Sequence, residues 1–168
     1  MPASRERIVF EGLIAGLLAY LAVAVVFAGA DLLLGRALFA TPAMIGSVLF
    51  YGAREPTALV SAGPVAAANG LHLLLSVAVG LAAALVVEET ERHPQFFYAT
   101  FFVVVVFLFA STAVLLGVPS AVARAAPWTV TLIANFLGLV VGGLYLWRAH
   151  PRLRARLDSL GGGEEEVA

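Results

Sequence analysis

At 100° per residue, Asn69, His72, Ser76, Gly80 and Ala83 fall within about an 80° arc of one helix. Trp128, Thr131, Asn135, Gly138 and Gly142 share a face of another. An amide, an imidazole and hydroxyls held among apolar residues can do one of two things. They can hydrogen-bond to each other and tie helices together, or they can line a site for a polar head, a quinone ring, a proton or a small solute. Counted from the nearest helix start, His72 and Asn135 come to the same depth, about eight residues or roughly 12 Å. Ser111 reaches a similar level when counted back from the end of its own segment, as does Thr112 beside it. Asp31 lies just above and is placed to cap this layer or to pair with Arg36. The candidate polar site is therefore Asn69, His72, Ser111, Asn135 and Asp31.

Other groups suggest less. Glu11 sits one turn inside an apolar run, where it would reach out to water or pair with an Arg. Tyr20 falls near the middle of that run and its hydroxyl needs a partner. His93 and His150 both lie at one edge and could share a metal, but no third ligand at a fixed spacing accompanies them. Only His72 has the depth for a haem, and it lacks a second axial ligand. Glu88, Glu89 and Glu91 read as solvated surface. With no Cys, disulfides and thiolate chemistry are excluded. No nucleophile with its base and no phosphate loop appears, so neither a cofactor, a metal nor an enzymatic activity is expected.

The elements that must position these groups are four long apolar runs, 8–30, 65–87, 96–118 and 128–147. About 20 helical residues cross the roughly 30 Å hydrocarbon core of a bilayer, where only helices and closed barrels satisfy their own backbone. The chain of 168 residues is 61% hydrophobic and 12% charged, against about a quarter charged in soluble domains. The expected fold is an all-α integral membrane four-helix bundle. Pro42 to Ala53 is too short to cross and is expected as an interfacial or re-entrant helix, with Thr41 as N-cap and Pro42 at the first helical position. It would form a partial lid over the polar layer. Pro56, Gly63 and Pro64 break the chain before the second run, and Arg92-His93-Pro94 makes a short turn after it. The third run, with Phe96, Phe97, Phe101, Phe102, Phe107 and Phe109, is expected to face lipid. Residues 1–157 form the membrane domain, Arg148 to Leu160 begins a helix lying on headgroups, and 158–168 is a disordered acidic tail.

Orientation follows from the arginines, since all ten basic residues are Arg. With four crossings, Arg5, Arg7, Arg92, Arg148, Arg152, Arg154 and Arg156 fall on one side and Arg36, Arg54 and Arg124 on the other. Positive residues gather on the cytoplasmic side, so both termini are expected there. An alternative makes Arg5 and Arg7 the start of a secretory signal cleaved after Ala28-Gly29-Ala30, but the run exceeds a signal core and Glu11 interrupts it. Helix association in lipid relies on close backbone approach and interhelical hydrogen bonds. Gly12 with Gly16, Ser76 with Gly80 and Ala84, and Gly138 with Gly142 are the expected packing faces.

Several strings along the chain, Glu11-Gly-Leu-Ile-Ala-Gly16, Thr41-Pro-Ala43 with Gly46 and Phe50, Gly70-Leu-His72, and Gly143-Leu-Tyr-Leu-Trp-Arg-Ala-His-Pro151, give a resemblance over nearly its whole length. The chain resembles a group of small four-helix bacterial inner-membrane proteins with no assigned activity. That resemblance implies architecture and a bacterial inner-membrane location, and it carries no catalytic residue. The functional expectation is a non-enzymatic structural or accessory subunit of a membrane assembly. The alternative is a protein that binds or transports a lipid, quinone or solute through the polar layer. Expected partners are membrane lipids, other membrane subunits or a second copy. Net charge of −1 gives no case for nucleic acid.

Overall fold

The eight prolines punctuate this chain. Pro42 and Pro64 each fall in a first helical turn, where a missing N–H costs nothing, and Pro127 and Pro151 stand just outside the ends of a helix. Between these marks, runs of Ala, Leu, Val and Gly have nothing to stop helix growth. The computed structural model describes residues 5–54, 59–93, 95, 98, 102, 104–110 and 120–155, and all regular structure among them is helical. The elements are α1 (Arg5–Leu33), α2 (Ala40–Tyr51), α3 (Ala62–Arg92), α4 (Ser120–Ala125) and α5 (Trp128–Ala149). Residues 104–110 and 151–155 are also helical. Three helices, α1, α3 and α5, are long and apolar enough to cross a membrane. The expected third run is described only in part, through 104–110. Ser111 and Thr112, Arg156 and the tail 158–168 lie outside the described residues.

At the centre is α1, antiparallel to both α3 and α5, which scarcely touch each other. Small residues make each seam. A Cβ built on Gly16 would stand 2.6 Å from the Ser76 carbonyl oxygen and 2.7 Å from Val77 Cα, and one on Gly80 would run into the backbone of Gly12 and Gly16. On a neighbouring face of α1, Gly142 faces the Ala15 carbonyl and Gly138 faces Ala19 and Val23. The expected Gly12 and Gly16 face therefore meets the Ser76 and Gly80 face of α3, the Gly138 and Gly142 face of α5 meets Ala15, Ala19 and Val23 of α1, and helix backbones come as close as glycine allows. Helix α1 runs unbroken through Ala28-Gly29-Ala30.

The buried apolar residues are mostly alanines: Ala15, Ala40, Ala43, Ala84, Ala125, Ala126 and Ala134 are each at most 2% exposed. Large side chains point away, among them Phe10 at 63%, Val25 and Leu74 at 70% and Leu33 at 91%. This reverses the soluble pattern, in which the bulkiest apolar groups are the most buried.

Gly35, at φ +66, ends α1, and Asp31 then organises the turn. Its carboxylate, fully buried, accepts the Thr41 hydroxyl at 2.6 Å and the Thr41 backbone N–H at 2.8 Å, with Arg36 Nε 3.4 Å away. The expectation that Thr41 caps the short helix is thus corrected. Helix α2 begins two residues earlier than expected, at Ala40 with Phe39 in the N-cap position, and the first-turn N–H of Thr41 is satisfied by Asp31 from a different helix. Arg36 also donates to the Ala125 carbonyl, and Ala40 and Met44 pack on Ala125, so α4 joins the same knot. Gly46 fits α2 against the Pro64 backbone at the start of α3.

Overpacking such a seam costs about 1–3 kcal/mol. Gly80→Ala should therefore lower unfolding stability in detergent by about 2 kcal/mol. Gly70→Ala, with nothing within 4 Å of its Cβ position, should stay within about 0.5 kcal/mol of the parent. Equal stability of the two variants would remove the close seam.

Candidate functional site

Because α3 and α5 both lean on α1 without closing on each other, a cavity of about 1350 Å³ runs along the bundle. Its lining extends from Asp31 and Thr41 at one end to Leu146 and Leu153 at the other, with Val104, Phe107 and Leu108 on a further wall. The lining is almost entirely apolar. Its polar groups include Tyr20, Asn69, His72, Ser76, Thr131 and Asn135. Asn69 and His72 lie seven and ten residues along α3, and Asn135 seven along α5, so each is roughly 10–15 Å from the α2 end.

The polar residues have different tasks. Tyr20 donates its hydroxyl to Asn69 Oδ1 at 3.3 Å, and Asn69 Nδ2 donates to the Val65 carbonyl at 3.0 Å. Asn69 is thereby a tie between α1 and α3. The His72 ring packs against Tyr20, centroids 5.2 Å apart and tilted by 51°, and its edge borders the cavity. Thr131 turns its hydroxyl back to the Pro127 carbonyl at 3.2 Å. Asp31 borders the cavity, but its oxygens are engaged by Thr41 and Arg36. Among the sequence candidates, then, Asn69, His72, Asn135 and Asp31 border one space, and Ser111 lies outside the described residues.

A second polar cluster, which the sequence reading did not assemble, closes the opposite end. His150 follows α5, is 1% exposed and places Nε2 3.0 Å from Glu11 Oε2 on α1. Its Nδ1 stands 3.0 Å from Glu91 Oε1 on α3, but off the line of a hydrogen bond, and is left without a hydrogen-bond partner. Arg7 holds the other Glu11 oxygen at 2.7 Å and donates to the Ala149 carbonyl. Glu88 is buried and accepts from Arg92 at 3.0 and 3.2 Å. The reading of Glu88 and Glu91 as solvated surface is corrected for both, and Glu11 is a buried hub with an Arg partner. The available signal was that Glu11, Glu88, Glu91 and His150 stand at one level in an antiparallel arrangement. His93 is exposed and pairs with Glu89 at 2.8 Å.

Comparisons with protein-family models, with curated proteins and with solved structures match nothing. The class that the fold defines is an all-helical protein with, among the described residues, three helices long and apolar enough to span a membrane.

Removing a partner from a buried charged knot costs about 3–5 kcal/mol. Asp31→Ala, which strands Thr41 and Arg36, should therefore lower stability in detergent by about 3 kcal/mol. Tyr20→Phe should cost about 0.6 kcal/mol, the usual worth of an interhelical hydrogen bond in a membrane. Thermal or denaturant unfolding of both variants checks this order, and a larger loss for Tyr20→Phe would contradict it.

Proposed function

We propose that this chain is a non-enzymatic protein of the bacterial inner membrane, a four-span bundle with both termini in the cytoplasm, that holds a long apolar molecule with a small neutral polar head. The observation that carries this reading is the cavity and its chemistry. Its volume of about 1350 Å³ exceeds the roughly 300–1,000 Å³ of drug-sized pockets and suits an extended tail. At its α2 end the His72 imidazole borders the space, and the Tyr20 phenol, Asn69 amide and Thr131 hydroxyl, each already holding a bond within the protein, keep further donor or acceptor capacity for a quinone ring or an uncharged lipid head. Asp31, the one carboxylate there, is already neutralised by Arg36.

Lipid as the surrounding solvent is supported by the outward Leu, Val and Phe side chains, each of which would gain about 1.5–3 kcal/mol on leaving water. A fourth crossing is supported by chain geometry. His93 and Trp128 end and begin helices at opposite ends of the bundle, so the chain between them travels its length. The arginine excess at the Arg7 and Arg92 end supports its placement in the cytoplasm. A purely structural or accessory role rests on polar residues that tie helices, as Tyr20 and Asn69 do. The open space beside them favours binding, within a larger assembly or alone.

Gentle purification from membranes followed by native mass spectrometry should find one lipid or quinone per chain. His72→Leu should keep the fold and lose at least tenfold in occupancy. A ligand-free parent, or equal occupancy in the folded variant, would refute the proposal.

A further inference from the structure

Three carboxylates and one imidazole from three helices converge at the Arg7 end. Glu88 and Glu91 are one turn apart on α3, and their carboxylates come together with the imidazole of His150 after α5. One ligand atom from each of the three lies within 4.8 Å of the others. An ion with ligands at about 2.0–2.2 Å sets its donors roughly 3–3.5 Å apart. The 3.0 Å between His150 Nδ1 and Glu91 Oε1 already matches this, and Glu88, within 4.8 Å of both, reaches the same spacing by a side-chain adjustment.

Independent of the acidic residues is the state of His150. Its Nδ1, fully buried and aimed at this space, makes no hydrogen bond and has only the Glu91 carboxylate 3.0 Å away to offset its lost solvation. The opposite nitrogen is held by Glu11, itself gripped by Arg7. That carboxylate, imidazole and second nitrogen in sequence form the arrangement in which an outer carboxylate fixes the tautomer and ring orientation of a metal-binding histidine.

We propose that Glu88, Glu91 and His150 bind a divalent first-row transition cation, with zinc the best match to one imidazole and two carboxylates, and that Glu11 is the positioning residue for His150. Three protein ligands leave a coordination position for water or a further group. Arg92, half-exposed on Glu88, is the group that yields when the cation enters. The bound ion would clamp the ends of α3 and α5, which otherwise scarcely touch. This inference stands apart from the lipid reading, since it concerns the other end of the bundle.

The test uses the full chain in detergent or nanodiscs, stripped with chelator and titrated with Zn²⁺ by calorimetry, and with Co²⁺ by visible absorption. One Zn²⁺ per chain should bind with micromolar or tighter Kd, and Co²⁺ should give ligand-field bands. Glu91→Gln and His150→Gln should each weaken binding at least tenfold, and Glu11→Gln about tenfold. His93→Gln, on the surface, should leave binding unchanged. If His150→Gln fails to fold, Glu91→Gln decides. No binding by the parent, or parent-like binding by Glu91→Gln or a folded His150→Gln, would show that the cluster is an ion-pair network only. Loss through His93→Gln would show an adventitious surface site, and either result overturns the proposal.

Discussion

Backbone-to-backbone contact along α1 is the constraint from which the other features follow. Gly12 and Gly16 leave no room for a side chain against α3, and Gly138 and Gly142 bring α5 to the next face. Helices α3 and α5 sit on neighbouring faces of α1, converge at the Ala15, Ala84 and Leu146 cluster and scarcely touch elsewhere, which leaves space beside α1 between them. The same contacts decide which residues turn outward. With Gly and Ala used for the seams, most of the large Leu, Val and Phe side chains point away from them. A lipid surround makes that distribution favourable, because helices there gain nothing from hiding large apolar groups and gain much from close approach.

The two ends of the bundle are fastened by polar groups instead. At one, Asp31 joins α1 to the first turn of α2, and Arg36 extends the link to α4. At the other, Glu11 and Arg7 of α1 take hold of His150 and the Ala149 carbonyl after α5, and Glu91 of α3 approaches the same imidazole. Charges at each end are matched by opposite charges, as burial demands. Between these knots the polar groups that line the cavity, Tyr20, Asn69, His72, Ser76, Thr131 and Asn135, lie toward the α2 end, which gives it one more polar and one greasier region.

Much of this was legible in the residues. Hydropathy and proline positions predict runs of 8–30, 65–87 and 128–147, and the helices are Arg5–Leu33, Ala62–Arg92 and Trp128–Ala149. Helical spacing of small residues identified the faces that meet, since glycine spacing is a local property. The level of Asn69, His72 and Asn135 could be counted from helix starts for the same reason. The Glu11–His150 pair could not, because its members are 139 residues apart and meet only once the register of α1 against α5 is fixed. Glu88 and Glu91 looked like solvent-facing acids because nothing local shows that Arg7 and His150 arrive beside them. Thr41 looked like a cap because its type suits one, while the acceptor that serves it comes from ten residues earlier.

A designed disulfide measures the α1 seam directly, in a chain with no cysteine to interfere. A Cβ at Gly142 would lie 3.6 Å from the Ala19 Cβ, close to the roughly 3.8 Å of native disulfides. Ala19→Cys with Gly142→Cys, oxidised in native membranes, should give a quantitative intramolecular crosslink. Ala19→Cys with Gly143→Cys, whose Cβ position has nothing within 4 Å, should give none. Crosslinking of the second pair in place of the first would mean that α5 meets α1 through another face, and the account built on that seam would fail.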